Sequence, residues 1–310
     1  GNATWLDLVR VLDERTEIDL AAWSRAWVEQ AGRPSIRTEL EVDERGNLRR
    51  LAFVQSDPQE GRSLRWTQQM TVLIGTSTGV SSIPLELRND RAEAPVKPTL
   101  ARPEFVLPTG GGLAYGDFTL DDASRKFLLR HLPELKDPLT RGAAWVTLWE
   151  EMLDGRVSPS GFIDLALRAL PGENTEQNVE LVLGYAAGAF WSFVSDSARQ
   201  SIAPKLEEAL RSGLRSAPSS TLKSTYFSAF RSVVTTPGGA AFLERIWRRQ
   251  EKIPGLTLAE PDEAAMALEL AVRSVPSAAA ILEEKRGRFM NPDRKARFEF
   301  VMPALSPRQE

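Results

Sequence analysis

A single histidine, His131, and no cysteine stand among 310 residues. These are the side chains that most often hold transition metals or serve as activated nucleophiles. A cysteine nucleophile is excluded, and a serine–histidine system would have to run through His131. That residue sits in Leu128-Leu129-Arg130-His131-Leu132-Pro133. It reads either as an acid/base group or ligand, or as a helix-ending residue favoured there by the helix dipole. No second His, no Cys and no suitably spaced carboxylate pair accompanies it, so the dipole reading is preferred. The expectation for catalytic, cofactor-binding and metal residues in this chain is none of each.

Other candidate chemistry is equally thin. Asp121-Asp122, Glu150-Glu151, Glu207-Glu208 and Glu283-Glu284 are adjacent pairs. Neighbours on a helix point about 100° apart and do not converge, so these read mostly as solvated faces or N-terminal caps. Pro108-Thr109-Gly110-Gly111-Gly112 lacks the G-x-x-x-x-G-K-[ST] pattern of a phosphate cradle and reads as a flexible turn at a domain junction. No G-x-S-x-G elbow occurs. Lys285, Arg286, Arg288, Arg294, Lys295 and Arg297 form a basic cluster. With a net charge of -3 for the whole chain, a solvated helix face is favoured over nucleic acid. No apolar run reaches the roughly 18–20 residues of a membrane span. The longest, around Leu181 to Phe193, is broken by Gly184, Gly188 and Ser192.

The elements that would carry these residues fall into three blocks. Residues 3–31 predict two helices, from Trp5, Leu8, Val9, Val11 and Leu12, then Asp19 ahead of Leu20, Trp23, Trp27 and Val28. Such a piece cannot bury its apolar face alone. The period then changes to two. Ile36, Thr38, Leu40 and Val42 alternate with charged residues, and a turn at Asp43–Asn47 with Gly46 leads to Leu51, Phe53 and Gln55. Two more runs carry Trp66, Gln68, Met70, Val72 and Ile74, then Ile83, Leu85 and Leu87. These predict a small antiparallel β-sandwich. Residues 88–103, with Pro95, Pro98 and Pro103, read as an extended linker, and Glu104–Leu107 as a last strand.

From Asp121 the chain reads as nine or ten helices. Asp137-Pro138, Ser158-Pro159, Thr236-Pro237 and Asn291-Pro292 each pair a capping residue with proline in the first turn. Asn174 with Gln177 resembles a capping box. The fold class is therefore mainly α with a small all-β domain: an antiparallel β-sandwich followed by an irregular α–α superhelical, solenoid-like domain. Trp145, Trp149, Trp191 and Trp247 are expected in the core. Trp5, Trp23 and Trp27 are the candidates for an exposed docking surface.

The opening Gly1-Asn2-Ala3-Thr4-Trp5-Leu6-Asp7-Leu8, with Asp19-Leu20 and Trp27, resembles the end of the catalytic domain in zinc aminopeptidases of the aminopeptidase N family. Gly32-Arg33-Pro34 then leads into strands as in that family. Tyr115-Gly116-Asp117-Phe118-Thr119-Leu120-Asp121 looks like its junction between sandwich and helical domain. Ile253-Pro254-Gly255-Leu256, Asp262, Asn291-Pro292-Asp293-Arg294 and Phe298 look like its last helices. The resemblance implies residues 1–33 as the last helices of a truncated catalytic domain, 34–108 as the β-sandwich and 109–310 as the helical domain. The family's HExxH zinc helix, oxyanion tyrosine and GxMEN loop are not in this sequence; in the family they lie upstream. The implied parent is a zinc-dependent peptide hydrolase, with zinc in the parent and no cofactor in this part. The implied partners are the upstream catalytic domain and peptide substrates, with no nucleic acid and no membrane span. By that reading the chain encloses the substrate chamber and is inactive alone. The alternative is a helical protein- or peptide-binding scaffold from a metal-free member of the same superfamily.

Overall fold

The computed structural model describes residues 2–96 and 102–305. Gly1 of the opening motif, Pro98 of the proline-rich stretch and the terminal residues from Ser306 lie outside the described residues. The chain divides into two compact units, Gly1–Ser158 and Pro159–Glu310.

The first unit opens with α1 (Trp5–Asp13) and α2 (Leu20–Ser24), the latter running into a π-helical turn, Arg25–Glu29. Thr4 starts α1 through a reciprocal box: its hydroxyl accepts from Asp7 N–H, and the Asp7 carboxylate accepts from Thr4 N–H at 2.9 Å. Asp19 caps α2 by accepting from Ala22 N–H at 2.8 Å. On α1 only Val9 is buried; Trp5, Leu8, Val11 and Leu12 stay exposed.

Seven strands follow among the described residues: β1 (Ser35–Val42), β2 (Leu48–Ser56), β3 (Gln68–Thr76), β4 (Gly79–Leu87), β5 (Arg91–Glu93), β6 (Phe105–Leu107) and β7 (Asp117–Thr119). They make a sheet of order β5-β2-β1-β7 and a second of order β4-β3-β6. Ile36, Leu51 and Phe53 from the first sheet share one buried cluster with Met70, Val72, Ile74 and Val106 from the second. The alternation drives this, since period-two residues fall on one face. It fails at Val42, which is exposed because the register shifts between Glu41 and Val42. Gln55 faces inward but is satisfied: its amide donates to Asn89 O at 2.8 Å and accepts from Trp66 N–H.

Two strands were not expected. β5 lies in the stretch read as linker, and β7 pairs with β1 in parallel, so the sheets are not wholly antiparallel. Each is three residues long, too short to show a period. After the sheets come α3 (Asp122–His131) and α4 (Pro138–Leu153).

The second unit is helical: α5 (Pro159–Ala169), α6 (Glu176–Ser192), α7 (Asp196–Ser216), α8 (Ser220–Val233), α9 (Pro237–Trp247), α10 (Glu260–Val272), α11 (Ala278–Arg288) and α12 (Pro292–Val301). With α3 and α4 this gives ten α-helices after Asp121 among the described residues. About 54% of the structure is helical, so the chain is mainly α with a small β region. Within the second unit, helices pack chiefly on neighbours one or two places along the chain. The four proline-marked starts each open a helix; Asp137, Thr236 and Asn291 accept from backbone N–H groups of the following turn. The expected Asn174/Gln177 box is not formed: Thr175 is the cap residue of α6 and makes no side-chain cap bond. Glu173 takes the Thr175 N–H at 3.0 Å instead.

Candidate functional site

Two segments some eighty residues apart in sequence, Gly32-Arg33-Pro34 and Tyr115–Asp121, come together in the first unit. Asp117 N–H donates to Pro34 O at 2.8 Å, and Ser35 pairs with Asp117 as β7 joins β1. The approach is close enough that a Cβ on Gly116 would lie 2.9 Å from Pro34 O. The Gln68 side-chain amide extends the seam, donating to Tyr115 O and accepting from Tyr115 N–H, both at 2.9 Å. Arg33 reaches across to an ion pair with Glu150 on α4. The Glu150 hydrogen bond holds the Arg33 guanidinium above its ordinary value, against the opposing effect of burial. Burial, then the Asp154 charge, pushes Asp117 above the usual carboxylate range, and its Oδ1 is buried without a hydrogen-bond partner.

A cavity of about 220 Å³ lies here, with Arg33, Tyr115, Phe118, Thr147 and Glu150 in its wall. Thr109 and Thr147 share a hydroxyl–hydroxyl bond of 2.8 Å at its edge. Behind it, Glu151 is fully buried. It accepts from Leu120 N–H at 2.9 Å, from Arg125 Nε, and from Arg156 Nε at 3.2 Å. Asp121 caps α3, accepting from Ala123 and Ser124 N–H at 3.1 Å. The arrangement can hold a small polar group beside Arg33. It offers no nucleophile aligned with a base.

His131 is the last residue of α3. Its Nδ1 is 3.1 Å from both carboxylate oxygens of Glu134, and its ring lies 4.8 Å from that of Phe127. No cluster of three or more His, Asp or Glu placed for a metal ion occurs among the described residues. With a lone imidazole already on Glu134, the described residues do not fit a zinc site. The glycine run is explained by packing. A Cβ on Gly110 would collide with Leu73, and one on Gly111 would meet Thr71 Cβ at 2.5 Å.

Three expectations need correction. First, among the adjacent carboxylates Glu151 and Glu207 are buried, whereas Asp122, Glu208, Glu283 and Glu284 are exposed and Asp121 caps α3 as expected. Glu207 accepts from Thr235 and Thr236 N–H at 2.7 and 2.8 Å, tying α7 to the start of α9. Second, Trp191 is not core; it is 37% exposed, with Arg199 and Arg273 each 5.1 Å from its ring centroid. Trp145 and Trp247 are buried as expected, Trp149 partly so. Of the proposed surface tryptophans, Trp5 and Trp23 are exposed, whereas Trp27 is partly buried against Tyr115 at 5.8 Å. Third, Lys285 departs from the solvated face that the rest of the basic cluster forms. Lys285 is fully buried on Glu263 at 3.0 Å. Arg286, Arg288 and Arg294 pair with Glu299, Glu284 and Glu260. No helix among the described residues is long and apolar enough to cross a membrane.

These features define a mainly α protein with a small β region and a polar seam that holds chain segments together. No family model matches it. It is similar to Aminopeptidase N of Streptomyces lividans, 25% identical over 273 residues, which cover 83% of this chain. The match spans 32% of that protein's length. The likeness supports a distant relationship to aminopeptidase N.

Proposed function

We propose that this chain is the non-catalytic C-terminal region of a zinc metallo-aminopeptidase. In this reading it encloses the substrate chamber and shapes peptide access, while an upstream domain performs hydrolysis. Residues 1–33 would be the last helices of that domain, 34–108 a β-sandwich and 109–310 a solenoid-like helical domain. The observation that carries the reading is the likeness of most of this chain to about a third of an aminopeptidase N. Zinc, when bound in such enzymes, polarises the scissile carbonyl and activates water. This chain's own residues would position elements and contact peptide.

The test is direct. The purified chain is assayed for stoichiometric zinc and for turnover of an aminoacyl-arylamide. Neither is expected, and zinc-dependent turnover would overturn the reading. Determining the open reading frame on the 5′ side of the Gly1 codon separates the alternatives: an HExxH with a downstream glutamate supports the peptidase. A related domain with substituted ligands supports the metal-free scaffold.

A further inference from the structure

The second unit holds a cavity of about 530 Å³, lined from the end of α9, the loop that follows it and the first turns of α10. That volume lies in the range of small-molecule sites, roughly 300–1,000 Å³. Ile246, Trp247 and Met266 give it buried, apolar walls. The loop adds Ile253, Leu256 and Leu258. Leu256 N–H donates to Ile253 O at 3.1 Å across Pro254-Gly255, and Gly255 takes a φ of 81°. Proline followed by a left-handed glycine makes a type II turn, which brings its end residues, Ile253 and Leu256, together. Leu258 follows at period two, with Thr257 exposed between them.

Two cations share this lining, Arg249 and Lys252. Arg249 sits where α9 ends: Gln250 and Glu251 N–H both donate to Arg245 O, at 2.9 and 3.1 Å, while Arg249 itself holds a φ of 58°. That left-handed position is usually left to glycine, so an arginine is kept there at a conformational cost. Its side chain is 77% exposed and stands 3.7 Å from Glu263. Lys252 is exposed, and its ammonium makes no hydrogen bond or ion pair among the described residues. The two carboxylates of the lining already have cations from outside it. Glu251 has Arg245 at 3.5 Å, and Glu263 has Lys285 at 3.0 Å. The cavity therefore joins an apolar wall to positive charge that its own carboxylates do not balance.

We propose that this cavity binds a medium-chain carboxylate, its hydrocarbon against Trp247, Met266 and the turn residues and its anion on Lys252. The gain from the hydrocarbon scales with the apolar area removed from water, and the charge-assisted bond sets the sign of the head group. An alkylammonium of equal length would meet the same wall beside an unpaired cation. A short carboxylate would bring the charge without the area. The inference concerns binding and stands independently of the hydrolytic reading. Zinc-dependent turnover would sink that reading and leave this one to its own titration.

The test is a methyl NMR titration of the full chain, labelled at methionine, with octanoate, octylamine and acetate. Met266 reports from the cavity wall, and Met266→Leu, close to isosteric, assigns its signal. Met70 and Met152, both in the first unit, are internal controls. Octanoate is expected to move the Met266 methyl saturably while Met70 and Met152 stay in place. Octylamine and acetate should each bind about tenfold more weakly or worse. Lys252→Glu, at an exposed position, should reverse the preference between octanoate and octylamine. Absence of saturation up to about 10 mM octanoate overturns the proposal. So do equal shifts at all three methyls, octylamine binding as tightly as octanoate, or a Lys252→Glu chain that still prefers octanoate.

Discussion

Replacing Glu151 with alanine removes the acceptor shared by Leu120 N–H, Arg125 and Arg156, and leaves two guanidinium groups facing a vacated site. Breaking a buried ion pair from one side costs about 3–5 kcal/mol. Here the lower end applies, because Arg125 keeps Asp122 at 2.6 Å and Leu120 O at 3.0 Å, and Arg156 keeps Asp154 at 2.5 Å. The expected cost is therefore about 3 kcal/mol. Glu150→Ala, one residue earlier, is the control. It breaks only the pair with Arg33, whose side chain is 40% exposed, and should cost less than about 1 kcal/mol. Glu151→Gln keeps the acceptor for Leu120 N–H and loses the charge, and should fall between them. Because the chain has two compact units, the readout must be local. Hydrogen exchange across α3 and α4 supplies it. A 3 kcal/mol loss raises exchange through local opening about a hundredfold, at about 1.4 kcal/mol per tenfold. If Glu151→Ala and Glu150→Ala differ by less than about 0.5 kcal/mol, Glu151 does not organise the junction and the reasoning fails.

Asp57 and Arg62 form a bidentate pair, 2.7 and 2.9 Å, and the Asp57 carboxylate also takes Gln59 and Leu64 N–H at 3.0 Å. The Arg62 bonds, chiefly, hold Asp57 well below its ordinary 3.8. A depressed carboxylate stabilises the fold above its unfolded value and loses that contribution as pH falls. The stability gap between the native chain and Arg62→Met, followed by urea unfolding, should thus narrow below about pH 4; a constant gap refutes it. Gly111→Ala should destabilise the first unit by about 1–3 kcal/mol through overpacking against Thr71. Nucleotide affinity measured before and after the change should be equally absent. Lys285→Ala should cost more than Lys285→Met: both remove the cation 3.0 Å from Glu263, which keeps only Arg249 at 3.7 Å, and alanine alone also empties the space of the buried stem. Thermal melts of the two variants compare these directly, and equal losses would contradict the argument.

How much was legible follows from the range of each interaction. Alternation from Ile36 to Gln55 and the Asx/Ser/Thr-Pro starts gave strands and helices because both are local rules. β7 was hidden because its partner β1 supplies the reason for its extended backbone. Trp191 carries a core spacing, yet its surroundings are two arginines, Arg199 from α7 and Arg273 after α10, which no local pattern reveals.

The carboxylates show where sequence spacing misleads. The argument from about 100° per residue correctly separated Glu150 from Glu151 and Glu207 from Glu208. Its further reading, mostly solvated faces or caps, holds for Asp121, Asp122, Glu208, Glu283 and Glu284. In two pairs divergence frees one member to reach inward: Glu151 to Arg125 and Arg156, Glu207 to the backbone at Thr235 and Thr236. A buried carboxylate survives when donors saturate it, and those donors were distant in sequence. The same logic applies to the basic cluster. Arg286, Arg288 and Arg294 form a solvated face with Glu299, Glu284 and Glu260 beside them, while Lys285 turns inward to Glu263.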